Sequence, residues 1–298
     1  MRVHICDVGP RDGLQNESRV LPPAVRAELC DRLAASGLTR VEAASFVNPK
    51  LVPQMAGAEE VFSAVVRAPG VVYAGLVLNE RGYDRAVAAG VDEVHYGFAA
   101  TDSFGLRNQN QTTEQGLEVC QRLVRRARAD GLPITVTVIV SFGCPFEGRV
   151  EPSRVLRLAE RILEVPPDEL LFADTIGVGV PSQARELVRG ALALGARIVG
   201  LHLHNTRNTG YANAIAGLEA GATVLDASVV GAGGCPFAPR ATGNIATEDL
   251  VYLLHGMGYE TGIALEPLIE CSRWLSEQLG KDLPGMVAKA GGFAAVAG

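Results

Sequence analysis

The sequence predicts an α/β protein, a (β/α)8 TIM barrel, and three observations carry that expectation. Eight short runs rich in β-branched residues recur along the chain, and amphipathic stretches separate them. The 298 residues slightly exceed the ~250 typical of eight strand–helix units. A doubly wound open sheet is the competing arrangement. It is weakened because "VGPRDGLQNE" stands after the first strand, where such a sheet would carry a GxGxxG turn.

The first strand is 3–6, "VHIC", and "PAVRAELCDRLAASG" follows as a helical pattern. Strands 2 to 5 fall at 40–46, 71–78, 92–98 and 134–140. In "PSRVLRLAERILE", Val155, Leu158, Ala159 and Ile162 recur at helical spacing opposite the arginines. Strands 6 to 8 fall at 169–175, 197–204 and 223–230. Pro152 and Pro181 stand where a first helical turn tolerates proline, while Gly37, Gly90, Gly131, Gly195 and Gly221 stand where helices stop. With no linker, low-complexity tract or short repeat, residues 1–298 read as one catalytic domain. About 265–298 is expected to form a helical cap over one barrel end.

Composition narrows the function. Hydrophobic residues at 48% and charged residues at 20% mark a globular chain able to bury a large core. A net charge of −6 without a basic block argues against nucleic acid or an anionic membrane as partner. No apolar stretch approaches the ~20 residues that cross a bilayer. The opening "MRVHICDV" enters a strand-like run at once, so no signal peptide is expected. The six cysteines form no CxxC pair, which suits a reduced, cytoplasmic protein.

In such a barrel, chemistry gathers at the C-terminal strand ends. Arg11, Asp12 and Gln15 follow strand 1 in a loop that "RDG" makes tight, and Glu42 lies in strand 2. Asp174 ends strand 6, His202 and His204 end strand 7, and the loop after strand 8 holds Cys235 and Asn244. Side chains two apart on a strand share a face, so the two imidazoles point together. They could be core or rim histidines satisfied by neighbours. Strands 7, 8 and 1 adjoin in a closed barrel, however, so Asp12 and Asn244 can join them. Two imidazoles, a carboxylate and an amide oxygen suit octahedral Mg²⁺ or Mn²⁺. Zn²⁺ would gain ground if Cys235 were a ligand. His4, His95 and His255 read as structural, and Cys6, Cys30, Cys120 and Cys271 as core.

On "DVGPRDGLQNE" (7–17), "VEAASFVNPKLVPQM" (41–55), "GCPFEG" (143–148), "ADTIGVG" (173–179), "HLH" (202–204) and "SVVGAGGCPFAPRATGNIATEDLVYLL" (228–254), the chain resembles the hydroxymethylglutaryl-CoA lyases. These belong to the TIM-barrel metal-dependent lyases and Claisen-type synthases, and the likeness runs over essentially the whole chain. It implies a retro-Claisen carbon–carbon lyase acting on a 3-hydroxyacyl-CoA, with coenzyme A part of the substrate. The homodimer or a higher homo-oligomer is the expected assembly. The resemblance makes Asp12, His202, His204 and Asn244 the metal ligands, with Glu42, Asp174 and Glu248 supporting them from behind. Arg11, Asp12 and Cys235 become catalytic; Cys144 is the competing thiol. Gln15 is expected to contact substrate.

The lyase pattern "HDTYGQ" is here "HNTRNTG", bringing Asn205 and Arg207 near the metal. Ser18 followed by Arg19, and Ala264, also differ from positions that look like coenzyme A contacts in the family. Arg207 either pairs with a differently placed substrate carboxylate, as in a citramalyl- or methylmalyl-type thioester, or with a surface acid. A Claisen-type synthase and a non-catalytic barrel are the competing functions.

Overall fold

The computed structural model describes residues 2–234 and 242–293. Strands β1 (His4–Asp7), β2 (Arg40–Ser45), β3 (Val72–Val77), β4 (Glu93–Ala99), β5 (Ile134–Ile139), β6 (Glu169–Asp174), β7 (Val199–Leu203) and β8 (Val224–Ala227) each pair in parallel with their sequence neighbours. β8 closes onto β1 and completes the barrel. All eight expected strands are present, with ends shifted by a residue or a few. A two-residue antiparallel hairpin, Gly143–Cys144 with Gly148–Arg149, lies outside the barrel sheet.

The surrounding helices are α1 (Pro23–Ala35), α2 (Ala58–Ala64), α3 (Glu80–Ala89), α4 (Asp102–Asn108), α5 (Thr113–Asp130), α6 (Pro152–Leu163), α7 (Pro181–Ala193), α8 (Gly210–Ala220), α9 (Thr247–Gly256), α10 (Leu265–Leu279) and α11 (Val287–Ala290). Local chemistry sets their ends. Asn79 caps α3 by accepting from the Gly82 N–H, and Thr112 and Gln115 close a reciprocal capping box on α5. The apolar stripe read in α6 is buried at Val155, Leu158, Ala159 and Ile162. Beyond position 265, α10 packs along α1 and α9 and against the turn after β8. After α10 the chain lies against the turns at the C-terminal barrel end, with the Gly285 N–H donating to the Val230 carbonyl at 3.0 Å and Lys281 pairing with Glu17 at 2.6 Å.

The turn after β1 differs from the tight loop expected. Residues Gly9–Gly13 form one π-helical turn, closed by the Gly13 N–H donating to the Val8 carbonyl at 3.1 Å. Asp7 starts it: one carboxylate oxygen accepts from the Gly9 N–H at 2.8 Å, the other from the Thr247 hydroxyl at 2.6 Å. The wide turn sends both Arg11 and Asp12 to the barrel mouth.

Barrel interiors are ordinarily filled by branched apolar side chains. Here the layer at the N-terminal strand ends is ionic. Arg40 donates to both oxygens of Glu169, at 2.7 and 2.8 Å, and its Nε lies 3.1 Å from Glu93. Thr135 donates to Glu93 at 2.6 Å. Gly200 lets Leu171 and Val224 close in on β7: a Cβ there would come within 2.9 Å of both.

Removing one partner of a buried charge set leaves the others unpaired, which costs more than the pair itself contributes. Arg40→Met is expected to lower unfolding free energy by roughly 3 kcal/mol in urea titrations. Adding Glu93→Gln and Glu169→Gln should restore much of that loss, and an unaltered midpoint in the single variant would contradict the ionic plug.

Candidate metal centre and active site

Three of the residues singled out in the sequence meet at the C-terminal mouth. Ligand-capable atoms of Asp12, His202 and His204 lie within 4.8 Å of one another. The Nε2 atoms of His202 and His204 are each 3.8 Å from Asp12 Oδ2, and the rings are 5.4 Å apart. Asn244 completes the group. Its backbone bridges that of His204, and its Nδ2 donates to Asp12 Oδ2 at 2.8 Å and to the Ala232 carbonyl at 3.0 Å. Its Oδ1 is buried without a hydrogen-bond partner among the described residues.

A divalent cation fits this set. A carboxylate and two imidazoles whose ligand-capable atoms converge, with an orphaned amide oxygen on the neighbouring Asn244, leave lone pairs that a hard or borderline dication satisfies. His202 is also prepared from behind. Its Nδ1 donates to Asp226 Oδ2 at 3.1 Å, which fixes the ring and leaves Nε2 facing Asp12. The sequence reading missed Asp226. The signal was there, a lone acid in the apolar run "TVLDASVV", in register with His202 on the neighbouring strand.

Arg11 links the metal-type donors to the barrel interior. Its Nε donates to Glu42, and its Nη1 to Asp12 Oδ1 at 2.6 Å. Burial pushes the Asp12 carboxyl up, but the Arg11 cation and the two histidines outweigh it and hold the group well below the ordinary carboxylate range. Glu42 shows the same balance. Burial raises it, and Arg11 with His95 brings it below its ordinary value. His95, read as structural, lines the same cavity as Arg11, Gln15, His202 and His204. Burial would lower its pKa, but Glu42 and Glu93 overcome that and lift it to about 10.

The remaining residues act at one remove or elsewhere. Asp174 accepts from the Val178 and Gly179 N–H groups at 2.9 and 2.8 Å, and its carbonyl accepts from the His204 N–H at 3.3 Å. It shapes the turn beside His204; its carboxylate is occupied by that turn. Glu248 sits further back, accepting from the Val230 N–H at 2.9 Å. Val230 holds a left-handed φ of 55°, unusual for a β-branched residue, so Glu248 pins a strained turn. Gln15 lines the cavity with a buried Oε1 that has no hydrogen-bond partner among the described residues. Arg207 is exposed and donates to the Ile176 and Gly177 carbonyls at 3.2 and 3.0 Å, so the surface-acid partner is replaced by backbone. Cys144 is buried beside Thr101. Cys235 lies outside the described residues.

The family model HMGL-like matches residues 2–275. The chain is 47% identical to (R)-citramalyl-CoA lyase of Chloroflexus aurantiacus, over 97% of this chain and 95% of that protein. It is 39% identical to the mitochondrial hydroxymethylglutaryl-CoA lyase of Rattus norvegicus, over 97% and 89%. An HMG-CoA lyase of Acinetobacter baumannii, solved in complex with coenzyme A and 3-methylmalate, superposes with a TM-score of 0.94 at 37% identity, covering 100% of this chain and 97% of that one.

Two outcomes are expected. Asp226→Asn should weaken Mn²⁺ or Mg²⁺ binding by roughly 10–100-fold in calorimetric titration, since the ring loses its anionic anchor; undiminished affinity would remove Asp226 from the design. Burial raises the Glu248 carboxyl from its ordinary 4.5 to about 8. The folded chain therefore keeps a proton that the unfolded chain releases, so stability is full below pH 4.5 and declines as pH rises toward 8. Glu248→Gln should flatten that slope in denaturation midpoints measured from pH 5 to 8.

Proposed function

The chain belongs to the HMGL-like family, and from that premise we propose that it is a divalent-metal-dependent carbon–carbon lyase performing retro-Claisen cleavage of a 3-hydroxyacyl-CoA. The observation that carries this reading is Arg11 bound to Asp12 beside His202 and His204 at one barrel mouth. A cation-binding donor set and a fixed guanidinium stand next to each other, as a reaction creating two oxygen-centred charges requires.

Asp12, His202, His204 and Asn244 would hold Mg²⁺ or Mn²⁺, which supplies the Lewis acidity that lowers the pKa of an aliphatic hydroxyl by several units, each worth ~1.4 kcal/mol. Asp12 is the proposed acceptor of the C3 hydroxyl proton. The C2–C3 bond then breaks: C3 becomes a ketone carbon, and the electron pair moves to C2 and onto the thioester oxygen. Arg11, permanently cationic, stabilises that developing enolate. A proton added at C2 completes the shorter acyl-CoA. Cys235 is the proposed donor, and Gln15 the proposed substrate contact.

The reference substrate is 3-hydroxy-3-methylglutaryl-CoA, giving acetyl-CoA and acetoacetate. A second reading, a citramalyl-type thioester giving acetyl-CoA and pyruvate, is favoured by a specific observation: 47% identity to a citramalyl-CoA lyase against 39% to the rat enzyme. The two acyl groups differ by one methylene between the carbinol carbon and the carboxylate. Asn205 and Arg207 stand where the family pattern departs. A cytoplasmic location and a homodimer or higher homo-oligomer belong to the same proposal. Among the described residues Cys6, Cys30, Cys120, Cys144 and Cys271 are free and buried, and no helix is long and apolar enough to cross a membrane.

The test is direct. Chelator-stripped protein, alone and reloaded with Mg²⁺ or Mn²⁺, is offered both thioesters, and products are read by mass spectrometry. Metal-dependent formation of acetyl-CoA with a keto acid is expected, and the keto acid identifies the acyl group. Release of free coenzyme A from acetyl-CoA plus an α-keto acid would instead mark a synthase. Arg11→Met should lower kcat by about 10²–10³. Arg207→Ala should alter the ratio of kcat/KM between the two thioesters if its charge reads the carboxylate; an unchanged ratio removes it from recognition.

A further inference from the structure

Between the ionic plug and the barrel mouth runs an unbroken series of charges of alternating sign. Glu169 meets Arg40, Arg40 meets Glu93, and Glu93 Oε1 lies 3.3 Å from His95 Nε2. His95 Nδ1 then donates to Glu42 Oε1 at 2.8 Å. Glu42 accepts from Arg11, and Arg11 donates to Asp12. His95 is the middle of this series, with a side chain 7% exposed.

We propose that His95 is a positioning residue for the cleavage reaction: its imidazolium clamps Glu42, and Glu42 thereby fixes the Arg11 guanidinium over the cavity. Among the described residues, Glu42 has hydrogen bonds to Arg11 and His95 alone. If His95 is lost, one oxygen of a buried carboxylate loses its donor while the other still faces Arg11. Such a group takes up a proton or turns toward a new partner, and either change releases the Arg11 Nε.

The two ring nitrogens explain why the ring must be charged. A neutral imidazole has one N–H and would set a lone pair against the second carboxylate. With Glu42 reaching from β2 and Glu93 from β4 itself, both nitrogens need protons. Among the described residues, the other ionisable groups around this layer are Arg11 and Arg40 beyond the two carboxylates, Glu169 from β6 against Arg40, Cys6 from β1 and Asp226 from β8. The cations Arg11 and Arg40 are themselves held by carboxylates, so they do not relieve His95 of its charge. Nδ1 is committed to Glu42 by a hydrogen bond, while Nε2 lies 3.3 Å from Glu93 Oε1 without a hydrogen-bond partner among the described residues, so the contact by which His95 acts on Arg11 is the one through Glu42.

The kinetic part of this inference rests on the lyase reading; a spectroscopic part stands without it. In metal-free protein labelled with ¹⁵N-histidine, both His95 nitrogens should remain protonated through pH 8, and a neutral tautomer at pH 7 would overturn the proposal whatever the enzyme's substrate. In the metal-loaded enzyme, His95→Gln keeps a donor to Glu42 without the charge, and His95→Phe removes both. The expected result is a fall in kcat of about tenfold or more for His95→Gln and a larger one for His95→Phe, with KM within about threefold of the parent. The acid limb of the kcat profile should move to higher pH in both, because Glu42 then takes its proton more readily. A raised KM with unchanged kcat would make His95 a substrate contact, and unchanged kcat and pH profile in folded variants would make it filler; both overturn the proposal. Should His95→Phe fail to fold, His95→Gln and the ¹⁵N signals decide the matter.

Discussion

The contact between Arg11 and Glu42 joins two parts of the molecule with opposite demands. Above it, ligand-capable atoms of Asp12, His202 and His204 converge beside Asn244, whose Oδ1 is buried without a partner among the described residues, an arrangement that needs positive charge. Below it, Glu42, Glu93 and Glu169 are buried carboxylates that also need positive charge. Arg11 serves both, with Nε toward Glu42 and Nη1 toward Asp12. Each buried anion in the series has a cation against it, and that alternation is what lets a charged interior stand where a barrel usually packs Val, Ile and Leu.

Charge compensation also separates the roles of the acids. Asp12 and Glu42 are held ionised, because Arg11 and the histidines outweigh burial. Among the described residues no cation offsets the burial of Asp7 and Glu248, which raises them to about 7 and about 8. The first pair faces the cavity or the residues lining it. The second pair sits under the turns that carry the site, Asp7 at the π-helical turn of Arg11 and Asp12, Glu248 at Val230. Carboxylates of one chemical type thus divide between reactive charge and turn geometry according to whether a cation is within reach.

Rigidity is concentrated on strands and short turns. His202 lies in β7 and Asp226 beside it in β8, so their separation is set by parallel register. Asp12 comes from the turn after β1, and Asn244 is locked to His204 by a backbone bridge. Four donors from distant points in the chain are thereby held by adjacent strands, which bears on the geometric precision that a metal site and a cleavage reaction both require.

Much of this was legible in the sequence. Period-two apolar runs, helix-terminal Gly and Pro, and the pairing of His202 with His204 on one strand face follow from local stereochemistry, which a short segment carries with it. The neighbourhood of Asp12 and Asn244 followed once a closed barrel made strands 7, 8 and 1 adjacent. Other features depended on which inward-facing residues of non-adjacent segments meet. His95 read as an ordinary structural histidine because nothing in "DEVHYGF" says that Glu42, 53 positions away, will lie against its Nδ1. Asp226 gains its role only from the register that sets it beside His202, and Arg207 found carbonyls that no charge pattern advertises. Segments decide their own conformation by sterics and hydration, while the partner of a buried charge is settled by barrel closure, since only then is water excluded and the nearest opposite charge fixed.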